Sequence, residues 1–568
     1  MKNFLIDWRD NSCRRTISVV VLSIVVTIML YGGALQRWWC CDDPQILKHA
    51  LTYSPWEYFS KPDVWRAMVP YSLTPWLGLT YDLDHTLFGL NPTGYYAHNL
   101  LIIAACASLI YLIARQWTDD WHATGGALLF LVGSPVMTAS QQLMVRHYVE
   151  GLFFYLVAIW LIMRALRLQT DQSGWFAGVA FAIAATAKEL YLPVGFVPFL
   201  LPIGTFRQRL MVAWPLLLVM LLYVPWRWYM LGDVVGGYTP SGELGRSDFM
   251  NALGQFTTIP GMLLVMPWLG VSVVTVATLY LVFRSKKNWW ALLLLISLPV
   301  LLLTPLIPLA RMPGLGAGSE RYFIVVWAAV SIGSAVVLGL IAARHTPGIR
   351  MATLTALLVL IGSAWLTAHR VAAHVLPTLY EQEVQGRALI TSDGNDVIYL
   401  TPAVAAWYVT GIIDLRKLYG QTGPPPRLVA DEFDLNEIPP VGRHILRFDH
   451  THNTMADITA QVSHDLIKWR KNVRQAPLSV TMSYNTVTKS MNWQLGPYIT
   501  GSYTFLLESG RQPVPPRGAL RIDKPPDSNV FRFRYDDPDG WIAYTPPLRL
   551  DQNYRVSWHG TGVPVANR

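Results

Sequence analysis

The sequence has few charged residues and few cysteines for its length. Only 14% of its 568 residues are Asp, Glu, Lys or Arg, whereas 52% are hydrophobic, and the mean hydropathy is +0.31. Soluble domains carry about 25% charged residues, so the composition excludes an ordinary soluble protein and predicts one that resides in a bilayer. The four cysteines have neither the number nor the spacing of a disulfide framework or a zinc site.

Several enzyme motifs are also absent. The sequence has no GxxxxGK[ST] phosphate loop, no GxGxxG turn, no GxSxG elbow and no HExxH helix. These absences argue against nucleotide hydrolysis, dinucleotide chemistry, serine hydrolysis and zinc proteolysis. The net charge of +9 comes from Arg and Lys scattered in short loops, so we expect topology signals and no nucleic-acid partner.

The hydrophobic residues form runs long enough to cross a bilayer. The first run, residues 16–35, follows Arg14-Arg15 and has no small-residue cleavage site, which predicts a signal anchor rather than a cleaved signal peptide. Further runs lie near residues 96–114, 123–140, 150–165, 174–190, 192–204, 211–229, 261–283, 289–307, 323–342 and 351–368. We therefore expect a polytopic α-helical membrane protein with about 11 spans.

The basic residues predict how these spans are oriented. With the N-terminus in the cytoplasm, every cytoplasmic turn carries Arg or Lys, as the positive-inside rule requires. An odd number of spans then places the rest of the chain outside the cytoplasm. We expect a multi-pass protein of the bacterial inner membrane, with a membrane domain at residues 1–370 and a periplasmic domain at residues 371–568.

The last third of the sequence changes character. Short strand-like stretches at Val397–Leu400, Tyr503–Leu507 and Phe531–Phe533 are separated by Pro-Pro and Asp-Gly turn signals. Before them, residues 376–387 continue a helical pattern. We expect a soluble domain that is β-rich or α/β.

Two adjacent carboxylates, Asp42 and Asp43, stand directly after the first span and before Pro44. Acids at a helix end near the bilayer lose solvation and need partners, which favours a functional role. The simpler alternative is solvated charge beside a turn. Later in the same loop, Asp84 and His85 would need a third ligand to bind a divalent metal, and a hydrogen-bonded scaffold is the favoured reading of that pair.

Cations at the predicted outer ends of helices depart from the positive-inside trend. Arg146 lies near Glu150, and Lys188 precedes Glu189. Such groups favour a site for an anionic head group such as phosphate, with local pairing of Lys188 and Glu189 as the alternative.

A Gly-rich segment, residues 311–319, leads to Glu320 and Arg321 at the start of a later span. It predicts a mobile segment that orders over a lipid phosphate with Arg321 as the clamp, although Arg and Tyr also act as plain interfacial anchors. Residues 232–248 are a weaker candidate for a second mobile cover.

Taken in order along the chain, four sequence features resemble the GT-C superfamily of membrane glycosyltransferases. They are Asp42-Asp43-Pro44 after the first span, Leu-Phe-Gly-Leu-Asn-Pro to Tyr-Tyr-Ala-His-Asn-Leu-Leu before the second, Ala187-Lys188-Glu189, and Glu320-Arg321-Tyr322. This superfamily includes protein O-mannosyltransferases and aminoarabinose transferases, which use polyprenyl-phosphate sugars outside the cytoplasm. The resemblance covers residues 1–370.

The resemblance implies a role for each site residue. Asp43 would be the catalytic base, with Asp42 as the second choice, and Lys188 and Arg321 would bind the donor phosphate, with Arg146 as a possible third ligand. The residues expected to contact the acceptor or the loops are Asp84, His85, Glu150, Glu189 and Glu320. The expected substrates are a polyprenyl-phosphate monosaccharide and an envelope glycan, lipid or protein, with no required metal or other cofactor. A transporter of a lipid-linked glycan is the competing hypothesis.

Overall fold

The structure, a computed structural model, describes residues 11–69, 72–168, 172–201, 203–234, 259–264, 275, 278–279, 319–343, 345–438, 443–486, 490–507, 510–521 and 530–562. The helices of its first part are α1 (Asn11–Tyr31), α2 (Asp43–Thr52), α3 (Glu57–Ser60), α4 (Pro62–Met68), α5 (Pro75–Phe88), α6 (Pro92–Ala114), α7 (Asp120–Leu131), α8 (Ser134–Ser140), α9 (Arg146–Leu168), α10 (Gln172–Ala187), α11 (Val197–Leu200), α12 (Phe206–Leu231), α13 (Ile259–Leu263), α14 (Ile324–Ala342) and α15 (Pro347–Thr391).

The polytopic helical fold is confirmed. Among the described residues, 6 helical stretches are long and apolar enough to cross a membrane, and these contain α1, α6, α9, α12, α14 and α15. A further candidate is the pair α7 and α8, which meet at 54°. The predicted spans at 261–283 and 289–307 fall almost entirely outside the described residues, as do most of the two predicted mobile segments, so the count of about 11 stays a prediction.

The expectation of a helical span at residues 192–204 is wrong. A short 3₁₀ turn, Pro193–Phe196, and the four-residue helix α11 occupy this stretch, because Pro193 and Pro198 interrupt the helical hydrogen-bond ladder. This stretch nevertheless runs from one end of the neighbouring helices α9 and α12 to the other. It begins beside the end of α12, where Glu189 pairs with Arg227, and reaches Gly204, which lies against Leu166 near the end of α9.

The charged residues separate to opposite ends of the helices. At one end, Asp120 pairs with Arg15 at 2.8 Å and with Arg115 at 2.7 Å. At the other end, Asp43 and Arg146 lie near the starts of α2 and α9. Because α6 has 23 residues, about 35 Å separates these ends. We call the end that contains Arg15 and Arg115 the Arg-rich end. The candidate site residues lie at the opposite end.

Helix α15 links the membrane part to the tail. Its 45 residues run for about 68 Å, more than twice a typical hydrocarbon core of about 30 Å. The helix predicted at residues 376–387 is confirmed as its second half, and the division drawn at residues 370 and 371 falls inside it. The second half of α15 thereby brings Gln382 and Glu383 to the turn that contains Asp43.

The tail combines an α/β unit with a β-sandwich, so both kinds of predicted structure are present. Its elements are β1 (Asp396–Tyr399), α16 (Ala406–Leu415), β2 (Arg427–Val429), α17 (Glu432–Asn436), β3 (His444–Asp449), β4 (Thr454–Asp457), α18 (Val462–Asn472), β5 (Pro477–Asn485), β6 (Ser490–Gly496), β7 (Ser502–Leu507), β8 (Gly510–Val514), β9 (Arg517–Arg521), β10 (Arg532–Asp536), β11 (Ile542–Tyr544) and β12 (Arg555–Thr561). The strand orders are β2-β1-β3-β4, β11-β10-β7-β8 and β12-β5-β6-β9.

Register and burial explain these sheets. Strand β1 pairs in parallel with β2 and β3, whereas the pairings within the other two sheets are antiparallel. Alternate residues of β5 and β10 are buried, which is the pattern of strands with one face in a core. Val480 and Phe533 from these two strands share one apolar core, so the two antiparallel sheets pack face to face.

A buried ion pair joins the sandwich to the α/β unit. The Arg534 guanidinium on β10 lies 2.5 Å from a carboxylate oxygen of Asp431, and Asp431 is fully buried. Asp431 also accepts hydrogen bonds from the Tyr544 hydroxyl at 2.8 Å and the Phe433 N–H at 2.8 Å. Replacing only one partner of such a pair leaves an uncompensated buried charge.

We therefore predict that Arg534→Met destabilises the tail by about 3–5 kcal/mol. Hydrogen–deuterium exchange of β10 and β11 in the full-length protein measures this loss. The matched control is Arg447→Met, because Arg447 forms a largely exposed pair with Asp465 whose removal costs about 0–1 kcal/mol. Equal protection in the two variants would show that the Arg534 pair does not hold the units together.

Candidate active site

Asp43 is the first residue of α2 and closes a tight turn that begins at Cys40, and its side chain is fully buried. The turn forms because Cys41 adopts a left-handed backbone (φ 53°) and the Asp43 N–H bonds the Cys40 carbonyl at 3.0 Å. The Asp43 carboxylate accepts the Cys40 N–H at 3.0 Å and the Tyr81 hydroxyl at 2.8 Å. The adjacent carboxylate, Asp42, has a different partner, because it accepts a hydrogen bond from the Trp407 indole.

Burial raises the pKa of Asp43 to about 7, even though the hydrogen bonds from Cys40 and Tyr81 favour its ionised form. The pKa of Asp42 is also raised by burial, and a hydrogen bond from Trp407 and the charge of Arg321 both act to lower it. A carboxyl group that titrates near neutral pH can take up a proton under physiological conditions.

Arg146 lies beneath Tyr81, and its position differs from the one expected of a phosphate ligand. Its guanidinium is fully buried, 4.4 Å from the centre of the Tyr81 ring, and it pairs with Asp84 at 2.5 Å and Glu150 at 3.4 Å. Two acidic partners already neutralise this cation. Arg146 therefore packs against the ring of Tyr81, the residue whose hydroxyl donates to Asp43.

Asp84 belongs to the same buried network. It pairs with Arg146 and with the His98 ring, whose Nδ1 lies 2.9 Å away. The hydrogen-bonded scaffold favoured from the sequence is therefore what the structure shows for Asp84, on helix α5 rather than in a loop. His85 is half-buried on the same helix. Within the described part of the chain, no group of three or more His, Cys, Asp or Glu is placed to hold a metal ion.

Lys188 and Glu189, adjacent in sequence, have different partners. Glu189 pairs with Arg227 at 2.8 Å and accepts the Leu73 N–H at 2.8 Å. The half-buried Lys188 instead places its ammonium 4.9 Å from the centre of the Tyr148 ring, and among the described residues it forms no ion pair. The alternative of a Lys188–Glu189 ion pair is therefore not what the structure shows.

Arg321 completes a surface of two cations and two tyrosines. Its guanidinium carbon lies 5.0 Å from the centre of the Tyr322 ring, and the rings of Tyr322 and Tyr148 meet edge to face at 5.8 Å. Lys188 lies over that second ring. Glu320 is buried and accepts a hydrogen bond from Thr138 at 3.4 Å. We call Lys188, Tyr148, Tyr322 and Arg321 the cation–tyrosine surface.

The tail also reaches the site, which the sequence did not reveal. The Trp407 indole N–H of α16 donates to Asp42 at 2.7 Å, and the Tyr408 hydroxyl donates to the Trp39 carbonyl at 3.1 Å. Tyr81 was likewise missed as a partner of Asp43. Reading residues 75–88 as a helix would have placed Tyr81 and Asp84 on one face, three residues apart.

Comparisons with known proteins agree with the resemblance stated from the sequence. The chain is 25% identical over 170 residues to the mouse protein O-mannosyl-transferase TMTC2, a stretch that is 28% of this chain but only 20% of the mouse protein; the human protein matches equally. No protein-family model matches the chain. The resemblance to a superfamily that includes protein O-mannosyltransferases is thus confirmed.

Two solved structures align with much of this chain at low sequence identity. The apo oligosaccharyltransferase of Archaeoglobus fulgidus has a TM-score of 0.40 at 11% identity, covering 91% of this chain and 76% of that one. ArnT from Cupriavidus metallidurans in complex with undecaprenyl phosphate has a TM-score of 0.36 at 14% identity, covering 76% of this chain and 93% of that one.

We predict that Tyr81→Phe raises the pKa of Asp43 above about 7, because the lost hydrogen bond stabilised the ionised carboxylate. Infrared difference spectroscopy across pH measures the protonated carboxyl band, which Asp43→Asn identifies by its loss. Tyr53→Phe, in the same loop but without a bond to Asp43, is the control. If the pKa of Asp43 is the same in Tyr81→Phe as in the parent protein, the hydrogen bond from Tyr81 does not lower that pKa.

Proposed function

We propose that this protein is an inverting glycosyltransferase that moves a monosaccharide from a polyprenyl-phosphate donor to a hydroxyl of a cell-envelope acceptor. The observation that carries the proposal is the buried Asp43 carboxyl group, whose pKa burial raises to about 7. The charge of Arg321 acts on the adjacent Asp42, and Lys188 forms no ion pair among the described residues, which supports a site that combines the acid with these two cations. The match to a protein O-mannosyl-transferase supports the same reaction class.

Asp43 would act on the acceptor. Its carboxylate takes the proton of the acceptor hydroxyl while the hydroxyl oxygen forms a bond to the anomeric carbon of the donor sugar. The bond from that carbon to the phosphate oxygen breaks, and its electron pair leaves with the phosphate. A single displacement of this kind inverts the anomeric configuration.

The cation–tyrosine surface would receive the leaving phosphate. Arg321 offers a fork of N–H donors and Lys188 a compact charge, which together suit a phosphate that becomes more negative as the sugar departs. The tyrosine rings lie against both cations. The cations would bind the phosphate more strongly in the transition state, where negative charge develops on its oxygen, than in the intact donor, which is the condition for accelerating the reaction.

The orientation follows from the two ends of the helices. The Arg-rich end would face the cytoplasm, which puts Asp43, the cation–tyrosine surface and the tail on the periplasmic side of a bacterial inner membrane. The tail would help to select the acceptor, because Trp407 is 44% exposed while it holds Asp42. A transporter would need charges near the bilayer centre, whereas the acidic and basic site residues lie at the helix ends.

We predict that Asp43→Asn lowers the rate of sugar transfer by about 100-fold or more, because the amide cannot take the acceptor proton. Binding of undecaprenyl phosphate to the purified protein should stay within about twofold of the parent, which separates loss of the base from misfolding. Asp63→Asn, an exposed acid in the same loop, is the matched control. Transfer at the parental rate in Asp43→Asn would exclude Asp43 as the base.

Each of Lys188→Ala and Arg321→Ala should weaken binding of undecaprenyl phosphate by about 10-fold or more, since a hydrogen bond to a charged group contributes about 1.5–3 kcal/mol. Microscale thermophoresis of the purified protein measures this affinity. Lys61→Ala is the control, because Lys61 is an exposed cation already paired with Glu57. Unchanged affinity in both variants would mean that the phosphate binds elsewhere.

A further inference from the structure

We propose that His147 is a third ligand of the donor phosphate, which it binds through a ring N–H together with Lys188 and Arg321. The inference rests on the proposed function and extends it to a residue outside the sequence-predicted set. His147 is the second residue of α9, next to Tyr148 of the cation–tyrosine surface.

The ring of His147 is buried without satisfying its polar atoms. The side chain is 6% exposed, and neither Nδ1 nor Nε2 has a hydrogen-bond partner among the residues that the structure describes. The Met144 backbone comes close enough to act on the ring as a hydrogen-bonding group without reaching full hydrogen-bond geometry, and the Tyr148 ring lies 4.5 Å away. Buried polar groups are almost always hydrogen-bonded, so an imidazole with two free nitrogens calls for a ligand.

The charges around His147 identify the chemistry of that ligand. Lys188 and Arg321 both act on the ring electrostatically, as does Arg146. The carboxylates of Asp84 and Glu150 pair with Arg146. A polar ring among cations suits an anion with several acceptor oxygens, and a phosphate supplies one oxygen for each donor.

The hydrogen bond from His147 to the phosphate would become stronger as the reaction proceeds. The donor is a phosphodiester with one negative charge, whereas the released polyprenyl phosphate can carry two. When the bond between the anomeric carbon and the phosphate oxygen breaks, the electron pair stays on the phosphate, and a fixed N–H donor then binds it more strongly. His147 would therefore favour the leaving phosphate over the intact donor.

The plain alternative is a histidine packed in the helix bundle with no ligand. To separate the two, we compare His147→Leu, which keeps the apolar volume and removes both nitrogens, with His147→Gln, which keeps an N–H donor. We expect His147→Leu to bind undecaprenyl phosphate about 10-fold more weakly and His147→Gln to stay within about threefold of the parent.

Lys188→Ala and Arg321→Ala are measured beside these variants. If His147→Leu binds like the parent while the two cation variants lose affinity, the His147 role is overturned and the proposed function stands. If none of the three changes the affinity, the phosphate site itself is wrong.

A measurement on the unmutated protein covers the case in which His147→Leu does not fold. Solid-state NMR of the protein with ¹⁵N-labelled histidine rings detects dipolar coupling between a ring nitrogen and the ³¹P of bound undecaprenyl phosphate. We expect one coupled histidine, whose signal is absent in His147→Gln. No coupling at any histidine, or coupling that persists in His147→Gln, overturns the proposal.

Discussion

The burial of the Asp43 carboxylate is the constraint on which the candidate site depends. A buried acid near the membrane surface is costly unless its charge is compensated, and here the Cys40 N–H and the Tyr81 hydroxyl donate hydrogen bonds to it. The Tyr81 ring lies over the guanidinium of Arg146, which Asp84 balances. A chain of contacts thus runs from Asp43 in the first loop to Arg146 on α9.

The cations of the site fall into two groups according to their partners. Arg146 and Arg227 are each paired with carboxylates, so they position the helices and neutralise acids. Lys188 and Arg321 instead lie against tyrosine rings. The proposed function uses cations of the first kind to build the site and those of the second kind to meet the donor phosphate.

Much of this arrangement was accessible from the sequence, but pairing was not. The apolar runs, the positive-inside pattern and Asp42-Asp43 after the first span predicted the fold class and the end of the bundle where the acids and cations gather. Periodicity carries no information on which acid meets which cation, so it did not show that Glu189 pairs with Arg227 rather than with Lys188. It also missed Trp407, because its contact with Asp42 joins residues 365 positions apart. The apolar run at residues 192–204 predicted a helical span, whereas its two prolines make this crossing irregular.

The central claim is that the protein transfers a sugar and that Asp43 is needed for it. Mass spectrometry of envelope proteins, glycolipids and polysaccharides from cells that produce either the parent protein or Asp43→Asn tests it most directly. The account predicts that one acceptor class loses a sugar of defined mass in the Asp43→Asn cells, with the protein present at parental levels in the membrane. An unchanged glycome, with lipid-linked sugar accumulating only in cells that lack the protein, would contradict the claim and favour a transporter.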